Sequence, residues 1–197
     1  LAVLEPKRVK MIEHKTFDKI DYSIKQLAID EYDNCTFTDC IFSNTDLSNV
    51  EFIECEFVNC DLSSAKIFNT TFREVTFNSC KLLGLAFEKA NEFIFSAQFN
   101  KCQLNYSSFY SRNLKRQIFN DCNLEEVDFS QSNLSEVVFN NCNLQKAIFE
   151  NTNLEKADLR TAFNYSIDPD INQIQKAKFS LIGISGLLSK YNIDIID

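Results

Sequence analysis

From Phe99 to Leu159 every fifth residue is large and apolar: Phe99, Leu104, Phe109, Leu114, Phe119, Leu124, Phe129, Leu134, Phe139, Leu144, Phe149, Leu154, Leu159. Two positions before each stands a residue that is mostly small, such as Ala97, Cys102, Ser107, Cys122, Ser132, Cys142 and Ala157, with Arg112 and Gln117 as departures. A period of five is neither the 3.6 of an amphipathic helix nor the 2 of a half-buried strand. Held over so long a stretch, it marks a solenoid. Each five-residue side turns its small and large residues inward and three residues outward. No side can bury its apolar pair alone, so coils must stack.

The pattern small, polar, Leu or Phe, polar, variable resembles the pentapeptide-repeat proteins. That resemblance implies an all-β solenoid, a right-handed quadrilateral parallel β-helix with twenty residues per coil. Residues twenty apart must then stack. Cys40, Cys60 and Cys80 are twenty apart, as are Cys102, Cys122 and Cys142, with a step of 22 between the two sets. Phe37, Phe57, Phe77, Phe99, Phe119 and Phe139 share the same offset. Two independent columns resume in register after one insertion, which predicts a thiol ladder and a phenyl ladder in a single stack. The twenty-eight large positions between Phe17 and Leu159, at four per coil, predict about seven coils and a rod about 34 Å long.

Residues 1–14 lack the repeat and are expected to be irregular; Met11, the only methionine, is a candidate native start. The β-helix is expected over 15–179, with a degenerate first coil (Phe17, Tyr22, Leu27, Tyr32) capping the stack against exposure of strand edges. Within 88–96, Glu92 stands where a large apolar residue belongs, next to Phe93, Ile94 and Phe95. A bulge is expected there, with Phe93 and Phe95 as candidate partner contacts. Arg112, at an inward small position, is expected to distort its coil or to snorkel outward. The repeat lapses over 162–173, where Pro169 imposes an extended or turn conformation before it. Residues 180–197 then read as a C-terminal cap with a short helix weakened by Gly183 and Gly186. Its apolar residues Ile184, Leu187, Leu188 and Tyr191 are a candidate dimer interface.

All eight cysteines (35, 40, 55, 60, 80, 102, 122 and 142) occupy the inward small position. A free thiol behaves there as a small buried hydrophobe. No Cys-x2-Cys pair suggests zinc, and reduced thiols suit a cytoplasmic location. No cofactor or metal is expected. The one histidine, His14, lies outside the repeat, and three glycines cannot build a phosphate loop. An enzyme is therefore not expected.

The net charge of −8 argues against direct contact with nucleic acid. No apolar run of membrane-spanning length occurs. Between Lys25 and Lys66 lie nine carboxylates and no base, among them Asp46, Glu51, Glu54 and Glu56, which are candidate partner contacts. The expected function is protein–protein interaction, without a partner readable from the residues. Within the family the chain is similar to the Qnr-type quinolone-resistance members, a resemblance that implies an acidic, C-terminally dimerised DNA mimic bound to DNA gyrase or topoisomerase IV. Charge alone gives that reading little weight. Residues 31–160 carry nineteen acids against eleven bases, whereas duplex DNA of the rod's length carries about 20 negative charges.

Overall fold

The computed structural model describes residues 11–25, 27, 31–194 and 196. Ten strands lie within them: β1 (Met11–Glu13), β2 (Thr16–Asp18), β3 (Glu31–Asp33), β4 (Thr36–Thr38), β5 (Glu51–Ile53), β6 (Glu56–Val58), β7 (Thr71–Asn78), β8 (Phe95–Asn100), β9 (Ile118–Asn120) and β10 (Val138–Asn140). Every pairing is parallel, and outside β8 each strand meets its neighbour twenty residues away, as in Glu31↔Glu51 and Phe119↔Phe139. The chain is a right-handed parallel β-solenoid with four walls.

The first wall carries β1, β3, β5 and the start of β7; the second carries β2, β4, β6, the end of β7, then β8, β9 and β10. The third wall is a row of single bridges from Asp21↔Ile41 to Asn143↔Phe163, and the fourth runs from Asp46↔Lys66 through Ser108↔Asp128 to Ile148. The solenoid makes about six turns, not the seven expected. The end coils carry large apolar positions without completing all four walls.

Both expected columns run through the core, beside stacked leucines and phenylalanines of the other walls. Phe17, Phe37, Phe57, Phe77, Phe99, Phe119 and Phe139 stack face to face at 4.8–5.5 Å with planes within 21° of parallel. Rings on adjacent walls meet edge-on, for example Phe109 and Phe119 at 5.9 Å and 76°. Stacked and edge-on pairs both place ring edges, which are positive, near ring faces, which are negative. The eight thiols are buried and unpaired with one another by disulfide. They also do something that hydrophobicity does not predict. Cys60 Sγ donates to the carbonyl of Phe37 at 3.3 Å, Cys80 to Phe57 at 3.3 Å and Cys142 to Phe119 at 3.4 Å. Thr70, Thr152 and Asn172 make the same bond from the same inward position to Leu47, Phe129 and Phe149. The small site therefore selects for a compact donor as well as for size.

Nearly every coil side ends in a left-handed residue, with φ between 48° and 63° at non-glycine positions, and only Gly84 is a glycine. Asparagine is common there (Asn34, Asn44, Asn49, Asn59, Asn69, Asn141, Asn151) because its short amide tolerates this region.

Three further boundaries differ from the sequence reading. Met11–Glu13, within the segment expected to be irregular, is a strand paired with Glu31–Asp33. The lapse near Pro169 is narrower than 162–173, because Phe163 still bridges Asn143 and Gln173 already bridges Asn153. The C-terminal helix is not an α-helix: Ile182–Leu187 and Ser189–Tyr191 are 3₁₀ turns. Its two glycines pack against Tyr165, itself buried. A Cβ on Gly183 would lie 2.2 Å from its Oη, and one on Gly186 would lie 2.3 Å from its carbonyl oxygen. The glycines let the last segment lie flat on the end of the rod.

Candidate functional site: an acidic wall ending in an aromatic knob

Folding sorts the nine-carboxylate stretch by wall, and so divides the residues singled out in the sequence. Glu51 and Glu54 lie on the first wall, where Glu51 stacks on Glu31 and Asp33 on Glu13. Glu56 lies around the corner on β6 and accepts a hydrogen bond from Asn78 Nδ2 at 2.7 Å. Asp46 is on the fourth wall, bridged to Lys66, with its carboxylate accepting the Ser48 N–H at 3.0 Å. These local bonds hold Asp46 below the usual carboxylate range. Asp30 lies outside the described residues.

Glu13, Glu31 and Asp33, which were not singled out, join Glu51, Glu54 and Glu74 on the first wall. None of these six makes an ion pair with a described residue, and among the described residues Arg73 is the one base within the strands of this stretch, with His14 and Lys15 at its first corner. Six carboxylates over four coils, about 14 Å, compare with about eight phosphate charges on the same length of duplex. The C-terminal half differs. There Glu136 is held by Arg116 (3.0 Å) and Lys115 (3.5 Å), Glu126 by Lys146 (3.0 Å), and Asp158 by Arg160 (2.7 Å). The second wall carries an amide ladder, Asn78 to Asn100 to Asn120 to Asn140, with Nδ2 to Oδ1 distances of 2.8–2.9 Å. Asn123 and Asn143 on the third wall, and Asn133 and Asn153 on the first, support turns, accepting the N–H two residues on.

The acidic column ends at the insertion. Its extra residues fall between walls: Phe72 pairs with Phe95, Val75 with Ala97, and the register shifts between them. Phe93 is 92% exposed. Phe95 is not a protruding contact. It fills the large position that Glu92 vacates, edge-on to Phe87 at 5.9 Å and to Phe72 at 6.4 Å. Arg112 neither snorkels nor distorts its coil, because the insertion leaves room beneath it. Only 6% exposed, it sets its guanidinium carbon 4.6 Å from the Phe95 ring centroid and donates from Nη2 to the Asn91 carbonyl at 3.1 Å. Its Nε is buried without a partner. Burial lowers the guanidinium's proton affinity, while Glu92 and Glu88 act to restore it.

Burial also pushes the Cys55 thiol up to about 12. His14 stands exposed at a corner with φ 51°. Among the described residues no group of three or more His, Cys, Asp or Glu is arranged to hold a metal ion, and no helix is long and apolar enough to cross a membrane.

A family model described as a pentapeptide repeat region matches residues 31–91 and 93–163. The chain belongs to the pentapeptide-repeat family. The break between the two matched segments falls at Glu92, inside the insertion. No curated protein sequence matches this pentapeptide-repeat protein. Among solved structures it is similar to trypsin-treated QnrB1, described as a plasmid-mediated fluoroquinolone resistance protein, at 22% identity and a TM-score of 0.48, covering 93% of this chain and 99% of that one. It is also similar to HetL of Nostoc sp. strain PCC 7120, a pentapeptide-repeat protein involved in heterocyst differentiation regulation, at 16% identity and a TM-score of 0.45, covering 89% of this chain and 90% of that one.

The C-terminal residues expected at a dimer interface separate in the structure. Ile184 and Tyr191 are exposed, whereas Leu187 packs partly on the core and Leu188 is half-buried. Leu181 and Ile182 are the most open of this group at 89% and 93%.

Proposed function

We propose that this pentapeptide-repeat protein is a non-enzymatic interaction protein that docks the acidic part of its first wall onto a cationic protein surface. The observation that carries this reading is the column Glu13, Glu31, Asp33, Glu51, Glu54 and Glu74, gathered along one side of the rod without an ion pair to any described residue, whereas Glu126, Glu136 and Asp158 in the C-terminal half each pair with a base. Desolvating one such carboxylate is offset only by a partner's cation, and a stacked row steers that partner from a distance.

The spacing of these charges favours a specific partner class, proteins that bind duplex DNA. The proposal therefore extends to DNA mimicry toward a type II topoisomerase, DNA gyrase or topoisomerase IV, in a reducing, cytoplasmic setting that suits eight free thiols. A second copy is assigned to the opposite end, where Leu181, Ile182, Ile184 and Tyr191 expose apolar surface.

Gyrase supercoiling with ciprofloxacin, with and without the purified protein, tests the topoisomerase reading. Protection or inhibition at micromolar protein is expected. Gyrase left unaffected at that concentration removes the topoisomerase and leaves the docking proposal to be judged by Glu31→Lys/Glu51→Lys against a set of other DNA-binding proteins.

A further inference from the structure

We propose that Phe93 is an aromatic anchor seated in an apolar pocket of the partner protein, immediately beside the cationic surface that takes the acidic wall, and that Arg112 is the positioning residue that holds this anchor out. The inference rests on the acidic-wall reading above and adds the second half of the contact. A fully open Phe at the end of an otherwise polar column is costly to maintain in water, at roughly 25 cal/mol per Å² of apolar surface. Ring-in-pocket contacts at the end of a polar surface are where binding energy concentrates.

The segment carrying Phe93 is tied down at several points. The Phe93 N–H donates to Asn91 Oδ1 at 3.0 Å, and the Asn91 N–H donates to the Thr70 carbonyl at 2.9 Å. Arg112 Nη2 closes the Asn91 carbonyl from below, and the guanidinium lies over Phe95, whose ring edge is fixed by Phe72 and Phe87. Ser132, Thr152 and Asn172 occupy the position of Arg112 in later coils. A long buried cation in that column is expensive, and here its contacts run to the base of the Phe93 segment. An anchor held in place before binding loses little entropy on docking. Glu92 beside it and Glu74 on the same wall define the partner's chemistry: an apolar pocket rimmed by lysine or arginine.

The protein contains no tryptophan, so Phe93→Trp is a single-fluorophore probe. In the full-length protein alone, Phe93→Trp should show solvent-exposed emission with slow local rotation. Arg112→Met in that background should lower the anisotropy while the circular dichroism melt of the solenoid is retained. Anisotropy unchanged by Arg112→Met overturns the positioning role. Should Arg112→Met fail to fold, Arg112→Lys is measured instead, and the same two outcomes apply.

With purified gyrase as the probe, binding should shift the tryptophan emission to the blue. Phe93→Ser should raise the dissociation rate about tenfold or more with the salt dependence unchanged, whereas Glu31→Gln/Glu51→Gln should flatten the salt dependence. Binding with no blue shift and no effect of Phe93→Ser overturns the anchor and leaves the acidic wall standing. Failure of the wild-type protein to bind gyrase overturns both the topoisomerase reading and the anchor directed at it.

Discussion

At an inward position a cysteine does two jobs: it fills a small buried space, and its Sγ–H reaches the carbonyl of the coil before. The donors at Cys60, Cys80 and Cys142 lie 3.3–3.4 Å from their acceptors. All eight thiols are buried away from solvent, and burial pushes that of Cys55 up to about 12, which leaves it a poor nucleophile at neutral pH. All eight should resist a thiol reagent in the native protein and react together in denaturant, as an absorbance titration would register. The phenyl column makes a stronger demand. Phe119 is fully buried between Phe99 and Phe139, so Phe119→Ala should cost about 3–5 kcal/mol, read as a fall in the denaturation midpoint. Corner residues carry the opposite lesson. Tyr106 holds φ 62° while exposed, a region that disfavours a bulky side chain by about 1–2 kcal/mol. Tyr106→Asn should therefore raise the melting temperature. The period of five located every corner in the sequence, but not its left-handed backbone, because residues as different as Lys19, Glu74 and Arg116 occupy it.

Among the elements, the C-terminal 3₁₀ segment is the one whose form depends on a single neighbour. Its glycines suggested a weak helix; Tyr165 shows that they are close-approach sites. Gly183→Ala should lift the segment off the rod, measurable as faster hydrogen exchange at 182–191 with the solenoid unaffected. The segment is also clasped by Lys190, whose Nζ pairs with Asp168 at 2.6 Å and with Asp170. Lys190 lowers the Asp168 carboxyl from its ordinary value of 3.8, and the two aspartates raise Lys190 above 10.5. The carboxylate's contribution is complete above its unfolded value and fades as pH falls through the lower folded one. The lysine's is complete below its unfolded value and fades as pH rises through the higher folded one. Exchange at 182–191, corrected for intrinsic rate, should be slowest between these limits and quicken on both sides. Lys190→Met should remove that dependence. The insertion was legible as an interruption of register, since 22 replaced 20 in two columns at once. That Phe95 fills the vacant core position and Phe93 does not follows from how many residues cross the corner, which only the backbone path reveals.

For the whole molecule the decisive quantity is where charge lies. Total charge over 31–160 made the chain a poor match for a nucleic acid, yet one wall holds, within four coils, six carboxylates that pair with no described residue. Glu51→Lys should leave the melt unchanged, because the side chain is exposed, and should weaken capture by a cationic partner more at low salt than at high. Unaltered binding at low salt would exclude the first wall as the contact.

The sequence alone determined the stack, its two interior columns and the place of the interruption, because each follows from one period repeated through local turns and burial. The tertiary structure alone decided which acids share a face, which are neutralised across coils, and why a buried arginine lies under an exposed phenylalanine. Those relations join residues twenty or more apart, and they depend on which of four walls each residue reaches.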